Sequence, residues 1–249
     1  MTVVVAHRGA SVQAPENTME AFRLGVEAGA DAIELDVHLT VDGQLAVIHD
    51  DSLDRTTDRT GSVADMRMDQ IREADAGATF ARPDDAGFPF AGAGLTVPTL
   101  PEVLAWLPDG IGLVIEIKAR AAADGVVAAV NGHPVASDGR LAIISFDEVA
   151  IERVHELDAE LKTGYLLVPT QPIEPALAWA TEHGHTGVHP WDGDLGLDPM
   201  PTLTLARAYG REVGCYVVND PDRMKHLAAC GLWGFVTDVP DVARDALGR

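Results

Sequence analysis

Four short stretches gather acidic, basic and imidazole side chains at or near the ends of apolar runs, His7-Arg8-Gly9, Glu34-Leu35-Asp36, His49-Asp50 and Glu116-Ile117-Lys118, and a fifth run ends in the amide Asn219. Successive side chains of an extended strand point to opposite faces. Glu34 and Asp36 therefore share one face, with Ile33, Leu35 and Val37 on the other, and Glu116 shares a face with Lys118, away from Ile115 and Ile117. One such polar group reads as a satisfied structural residue. A whole set at one end of different strands does not, because buried charges must be paired or bind a metal. The carboxylates of Glu34, Asp36 and Glu116 would repel one another without a cation among them, and all-oxygen ligation suits Mg²⁺, Ca²⁺ or Mn²⁺. Arg8 and Lys118 add positive charge, so the missing partner is an anion. A phosphate diester is one that fits, since the cation and Arg8 would neutralise its non-bridging oxygens as charge builds up. His7 and His49 can divide the proton work, one accepting from the nucleophile and the other donating to the leaving alkoxide.

A parallel sheet would place these groups together. Strand-like runs rich in Val, Ile and Leu occur at 3–7, 32–37, 45–49, 112–118, 141–146, 162–168, 186–189 and 212–219, with a ninth short run at 235–237. Near-continuous apolar runs are how strands buried on both faces read. Between them lie helical patterns: one opened by Asn17-Thr18 and closed by Gly29, one opened by Thr99, and others at 125–130, 148–157, 175–183, 201–209 and 221–230. Sustained alternation of strand and helix predicts an α/β fold, and both a closed barrel and an open doubly wound sheet satisfy it. Nine runs are one too many for an eight-stranded barrel, so one must be an add-on or an end pairing. Residues 50–97 read as an insertion after the third strand, rich in Gly, Ala and Pro around 83–94.

The bulk numbers narrow the function. A chain of 249 residues suits one barrel domain spanning 1–249. Its formal net charge of −21 repels phosphate backbones and anionic headgroups, which argues against nucleic acid and against stable membrane association. The start of the chain lacks a basic region followed by an apolar one, and no apolar run reaches the roughly 20 residues of a membrane span. With two cysteines, Cys215 and Cys230, reduced thiols and a cytoplasmic location are the expectation. Oligomeric state is left open.

In these residues the sequence resembles the glycerophosphodiester phosphodiesterase family. The likeness covers nearly the whole chain: His7-Arg8-Gly9, Pro15-Glu16-Asn17-Thr18, Glu34-Leu35-Asp36-Val37, Asp42-Gly43, His49-Asp50 and Arg55-Thr56-Thr57, then Pro98-Thr99-Leu100, Glu116-Ile117-Lys118, Ser145-Phe146, Val218-Asn219 and Thr237-Asp238. A lone His-Arg-Gly is weak evidence, whereas the ordered set is specific. The resemblance implies a (β/α)8 barrel and one divalent cation on Glu34, Asp36 and Glu116. It implies an acid/base pair of His7 and His49, a phosphate held by Arg8 with help from Lys118, and hydrolysis of glycerophosphodiesters to glycerol 3-phosphate and an alcohol. Attack by the substrate's own 2-hydroxyl through a cyclic phosphate and attack by water both remain open. The family usually carries Trp before the late Asn. Here the run is Cys215-Tyr216-Val217-Val218-Asn219, so either Tyr216 replaces that aromatic or the wall is rebuilt. The modest insertion implies small soluble substrates.

Asn219 is expected to touch substrate. Asp50 is expected to orient a neighbour, Arg55 to brace its loop, and Asp238 to close the barrel beside a basic group. Asn17 or Thr18 should cap a helix, with a role at the site as the alternative. His38 reads as a rim residue, while His189 and Trp191 are candidates for the mouth. Two other readings use the same residues: a lyase that releases a cyclic phosphate, and a non-catalytic barrel that binds a phosphorylated ligand. Retention of both His7 and His49 argues against the second.

Overall fold

Among the described residues the apolar runs form nine strands: β1 (Val3–Ala6), β2 (Ala32–Leu39), β3 (Leu45–Val47), β4 (Gly112–Ile117), β5 (Leu141–Ser145), β6 (Lys162–Leu166), β7 (Gly187–His189), β8 (Glu212–Cys215) and β9 (Gly234–Thr237). The computed structural model describes residues 1–82 and 85–249, so Pro83 and Asp84 of the expected Gly/Ala/Pro-rich stretch lie outside the described residues. Around the strands run α1 (Met19–Glu27), α2 (Met68–Ile71), α3 (Leu100–Trp106), α4 (Ala123–Val130), α5 (Pro134–Ser137), α6 (Glu148–Leu157), α7 (Ile173–Glu182), α8 (Met200–Tyr209), α9 (Pro221–Cys230) and α10 (Pro240–Leu247).

Eight strands pair in parallel in the order β1-β9-β8-β7-β6-β5-β4-β2, and β1 pairs with β2 to close the ring. The fold is a (β/α)8 barrel. The surplus run is the third: β3 pairs antiparallel with β2, Val37 opposite Val47, and is not a barrel strand. His49 therefore does not end a parallel strand. A turn at Thr40–Gln44 folds the chain back along β2, with Ile48 N donating to Asp36 O at 3.1 Å, and this returns His49 to the mouth. The short run at the end of the chain is the true eighth barrel strand, β9. Several expected runs were too long. His7, Lys118 and Asn219 lie beyond the last paired residues, where the chain leaves the sheet.

Side-chain parity separates two environments. Ile33, Leu35, Ile115, Ile117 and Ile143 point outward and are fully buried under the helices. Each such burial stabilises by ~1.5–3 kcal/mol. Val5, Ala32, Val114, Ile144 and Leu166 point inward and fill the barrel as an apolar plug. Glu34, Asp36 and Glu116 have this inward parity, one or two steps nearer the C-terminal ends. Barrel active sites occupy that end.

The insertion has its own small core of Ile48, Leu53, Val63, Met68, Ile71 and Val97, so it is a packed cap on one side of the mouth. Among the described residues no helix is long and apolar enough to cross a membrane. Both cysteines are free thiols.

Candidate active site

The register of the sheet assembles the carboxylates. Asp36 and Glu116 are direct cross-strand partners, as are Glu34 and Val114. Adjacent inward side chains on β2 and β4 thus converge, and ligand atoms of Glu34, Asp36 and Glu116 lie within 4.8 Å of one another, all three residues buried. The β1–β9 register does the same for the first imidazole. Ala6 pairs with Thr237, so His7 and Asp238 follow side by side, and His7 Nδ1 meets Asp238 Oδ1 at 2.6 Å.

Local backbone conformation fixes the turn after β1. Arg8 and Asn17 both have φ of 55° and Gly9 has φ of 85°. Left-handed geometry suits Gly and Asn but strains Arg, as is common at functional sites. The turn brings Arg8 N to 3.0 Å from Glu34 Oε2 and turns the Asn17 amide inward to donate to Asp36 Oδ2 at 2.8 Å. A Cβ on Gly9 would stand 2.4 Å from the Ala21 carbonyl carbon. Gly9→Ala is therefore expected to cost about 2–5 kcal/mol, the sum of left-handed strain and overpacking. Denaturant unfolding checks this, and a loss below about 1 kcal/mol would contradict it.

The charges do not balance within the protein. Arg8 Nε lies 3.1 Å from Asp36 Oδ2 while its Nη1 is bonded to Glu16 at 2.8 Å. Lys118 Nζ donates to Glu116 Oε1 at 2.7 Å and stands 3.7 Å from Asp36 Oδ1. Asp36 Oδ1 is buried and, among the described residues, has no hydrogen-bond partner. Burial first, and then Asp36 and Glu116, push the Glu34 carboxyl well above the ordinary range. Burial and Asp36 push Glu116 up to about 7 despite Lys118. A buried, repelling carboxylate group with an orphaned oxygen fits a hard divalent cation.

These shifts carry a pH prediction. Below about pH 7 a proton on Glu116 competes with the cation, and above it the carboxylate is free to ligate. Calorimetric titration should give a cation Kd that rises at least about tenfold per pH unit as pH falls below 7, the proton of Glu116 being displaced together with any held by Glu34. A Kd independent of pH between about 6 and 8 would contradict it.

The imidazoles flank this cluster. His49 Nδ1 meets Asp50 Oδ1 at 2.6 Å, and Arg55 bridges Asp50 and Glu16 with bonds of 2.8 Å, bracing the loop as expected. Burial lowers the His49 pKa, outweighing Asp36 and Asp50, which raise it. Burial raises the Asp238 carboxyl, but bonds from His7, Asn219 and Ser11 outweigh this and hold it below the ordinary range. A cavity of about 250 Å³ is lined by His7, Arg8, Glu34, His49, Glu116, Lys118, Ile144, Phe146, Leu166 and Tyr216.

Several residues stand elsewhere than expected. Asn219 does not line this cavity. Its Nδ2 donates to Asp238 Oδ2 at 2.7 Å and its Oδ1 accepts from Asp238 N and Thr237 Oγ1, so it holds the carboxylate that holds His7. Thr18 caps α1, accepting from Ala21 N, while Asn17 serves the site. His38 Nε2 contacts His49 O at 3.0 Å. His189 sits half-buried inside the barrel against Gly164 and Gly214, below the mouth. Trp191 is surface-exposed and lies over Gly193. Tyr216 does reach the cavity, edge-on to Phe146 at 5.8 Å between ring centroids. Asn17 thus takes the alternative expected of it, at the site, whereas Phe146 was given no role and lines the cavity. For Phe146 the signal was present, since it directly follows a barrel strand.

Comparison with known proteins agrees with this geometry. The profile of the glycerophosphoryl diester phosphodiesterase family matches residues 7–242. A glycerophosphodiester phosphodiesterase from Caldanaerobacter subterraneus subsp. tengcongensis is 34% identical over 96% of this chain and 95% of its own length. The structure of a glycerophosphodiester phosphodiesterase from Agrobacterium tumefaciens superposes with a TM-score of 0.84 at 30% identity, covering 98% of this chain and 100% of that one. An Oleispira antarctica phosphodiesterase, solved in complex with the product sn-glycerol-3-phosphate, superposes with a TM-score of 0.86 at 26% identity over 100% of this chain and 98% of that one. With a matching profile from the first imidazole to the last helix, and relatives covered nearly end to end, this chain belongs to the glycerophosphoryl diester phosphodiesterase family and is a phosphoric diester hydrolase.

Proposed function

We propose that residues 1–249 form one catalytic domain that hydrolyses small glycerophosphodiesters to glycerol 3-phosphate and an alcohol. One divalent cation, Mg²⁺, Ca²⁺ or Mn²⁺, would be held by Glu34, Asp36 and Glu116, with His49 accepting and His7 donating the proton. The observation that carries this reading is the carboxylate group itself: three buried acids within 4.8 Å, one oxygen of Asp36 unpartnered, with both imidazoles on the same cavity wall. The product complex of the Oleispira antarctica relative supports glycerol 3-phosphate as the retained half. The two free thiols support a reducing, cytoplasmic setting.

When bound, the cation supplies Lewis-acid neutralisation of the phosphoryl oxygens. Arg8 and Lys118 add fixed positive charge on the same wall. His49 is kept neutral by burial and oriented by Asp50, so its free nitrogen can take the proton of the nucleophile, a water or the substrate's own 2-hydroxyl. His7 is oriented by Asp238 and delivers a proton to the departing alkoxide. The balance is one water consumed, one phosphorus–oxygen ester bond cleaved and one alcohol released.

Turnover of glycerophosphocholine, glycerophosphoethanolamine and glycerophosphoglycerol with each cation tests the reading. Chelator is expected to abolish turnover, and the added cation to restore it. Full activity in chelator would overturn the cation site. Phosphorus NMR separates the lyase alternative, which would leave a persistent cyclic phosphate.

A further inference from the structure

A row of alternating charges runs from Arg8 to His49 across the gap between the β1–α1 turn and the insertion. Glu16 Oε1 accepts from Arg8 Nη1 at 2.8 Å. Arg55 grips the same carboxylate from the other side, Nη1 donating to Oε2 and Nη2 to Oε1, both at 2.8 Å. Arg55 also reaches Asp50, through Nε at 2.8 Å and Nη2 at 2.9 Å, and Asp50 Oδ1 meets His49 Nδ1 at 2.6 Å. Paired bonds between a guanidinium and a carboxylate fix geometry as well as energy. Both ends of the bridge are held. Glu16 precedes Asn17, whose amide is tied to Asp36. Arg55 lies between the buried Leu53 and Thr57, and its carbonyl accepts from Thr79 Oγ1 at 2.9 Å. Burial raises the Glu16 carboxyl, but the bonds from Arg55 and Arg8 outweigh it and bring it down to about 2. Arg8 has a second acid within reach, since its Nε stands 3.1 Å from Asp36 Oδ2. Among the described residues that buried N–H nevertheless makes no hydrogen bond, so the guanidinium is turned toward Glu16 and not onto Asp36. The Arg55 side chain is 47% exposed, and an ion pair so exposed adds little stability, which makes folding alone a weak reason for the bridge.

We propose that Glu16 and Arg55 are positioning residues for the reaction: Glu16 draws Arg8 off Asp36 so that its remaining N–H groups face the phosphate, and Arg55 carries the same anchor through Asp50 to the ring of His49. The proposal rests on the hydrolase reading above and deepens it. Neither residue lines the reaction cavity, so each acts through a neighbour that does. The two ends have different kinetic consequences. Without the Glu16 charge, Arg8 can turn onto Asp36, its other acid. That removes a phosphate contact and sets Arg8 in competition with the cation for the same carboxylate, so substrate and cation both bind more weakly. Without Arg55, Asp50 loses its brace and His49 its fixed orientation. Proton transfer then slows while ground-state binding changes little. The insertion thereby serves the chemistry through Arg55, as well as walling one side of the mouth.

Steady-state kinetics on glycerophosphocholine, with calorimetry of cation binding, separate the two ends. Glu16→Gln should raise KM and the cation Kd each by about tenfold, the scale of one charge-assisted hydrogen bond, with a smaller fall in kcat. Arg55→Ala should lower kcat by about tenfold to hundredfold, a part of what a general base supplies, with KM within about threefold. On a 4-nitrophenyl diester, whose leaving group needs no proton, Arg55→Ala should stay slow, as a defect in the base requires. Guanidinium added to the buffer should restore part of the lost kcat, because the Arg55 position is open to solvent. Arg55→Lys keeps the charge but lacks the planar fork that spans two carboxylates, so it should show the same kcat defect, and it carries the test if Arg55→Ala fails to fold. An unchanged kcat in the Arg55 variants, a loss that the 4-nitrophenyl diester relieves, or a Glu16→Gln enzyme with unaltered KM and cation affinity would each overturn the proposal and leave the hydrolase reading standing. Failure of the unmodified enzyme to turn over any glycerophosphodiester would overturn both.

Discussion

Replacing His49 by alanine is expected to lower kcat by about 10²–10⁴-fold with little change in KM, the contribution of one well-placed general base or acid. The expectation follows from what surrounds the ring. Burial keeps His49 below the ordinary histidine range, so it is neutral near pH 7, and Asp50 at 2.6 Å fixes which nitrogen is free. The acid limb of the pH–rate profile should therefore fall below about pH 6.5, the ordinary histidine value. Replacing His7 by alanine should cost a similar factor on alkyl diesters. The two roles separate on a substrate whose leaving group needs no proton. With a 4-nitrophenyl diester the His7→Ala enzyme should regain most of its rate, whereas His49→Ala should not. Equal recovery in both variants would contradict the assignment.

Glu116→Gln is expected to lower activity by about 10³-fold, the several kcal/mol that a cation at a phosphoryl oxygen supplies. The same substitution should leave the cation-free protein more stable at about pH 8, by roughly 1–3 kcal/mol. The sign follows from the direction of the shift. Burial and Asp36 raise the Glu116 carboxyl to about 7 in the folded state, so its ionised form is penalised by folding, and removing the charge relieves the penalty. The lost bond to Lys118 subtracts from the gain. Thermal unfolding with and without cation gives the full pattern: the unmodified protein gains stability from added cation and Glu116→Gln does not. A variant that is less stable without cation yet binds it normally would mean that Glu116 serves as an internal ion-pair partner and nothing more.

Parity along β2 and β4 made the carboxylates legible from residues alone. Alternation puts Glu34, Asp36 and Glu116 on the inward face, and the Asp36–Glu116 register then brings them together. What misled was the third run. Leu45–Val47 is as apolar as a barrel strand because it packs between β2 and the insertion core, and apolarity does not report strand direction. Counting it as a barrel strand left β9 looking like a surplus. That obscured why Asp238, level with His7 across the β1–β9 pairing, should hold that imidazole. The expected run over 212–219 also overshoots, which put Asn219 at a strand end. The paired strand β8 ends at Cys215, and Asn219 lies on the loop behind Asp238. Asn17 lies outside every strand pattern. Only its left-handed φ of 55°, which no spacing rule reveals, turns its amide toward Asp36.

Anomalous diffraction from crystals grown with Mn²⁺ tests the central claim most directly. A single peak is expected at about 2.0–2.3 Å from one oxygen each of Glu34, Asp36 and Glu116, the bond length of a hard divalent cation to carboxylate. No peak at that position, or a peak held by other residues while Arg8 and Lys118 keep the three carboxylates to themselves, would contradict it.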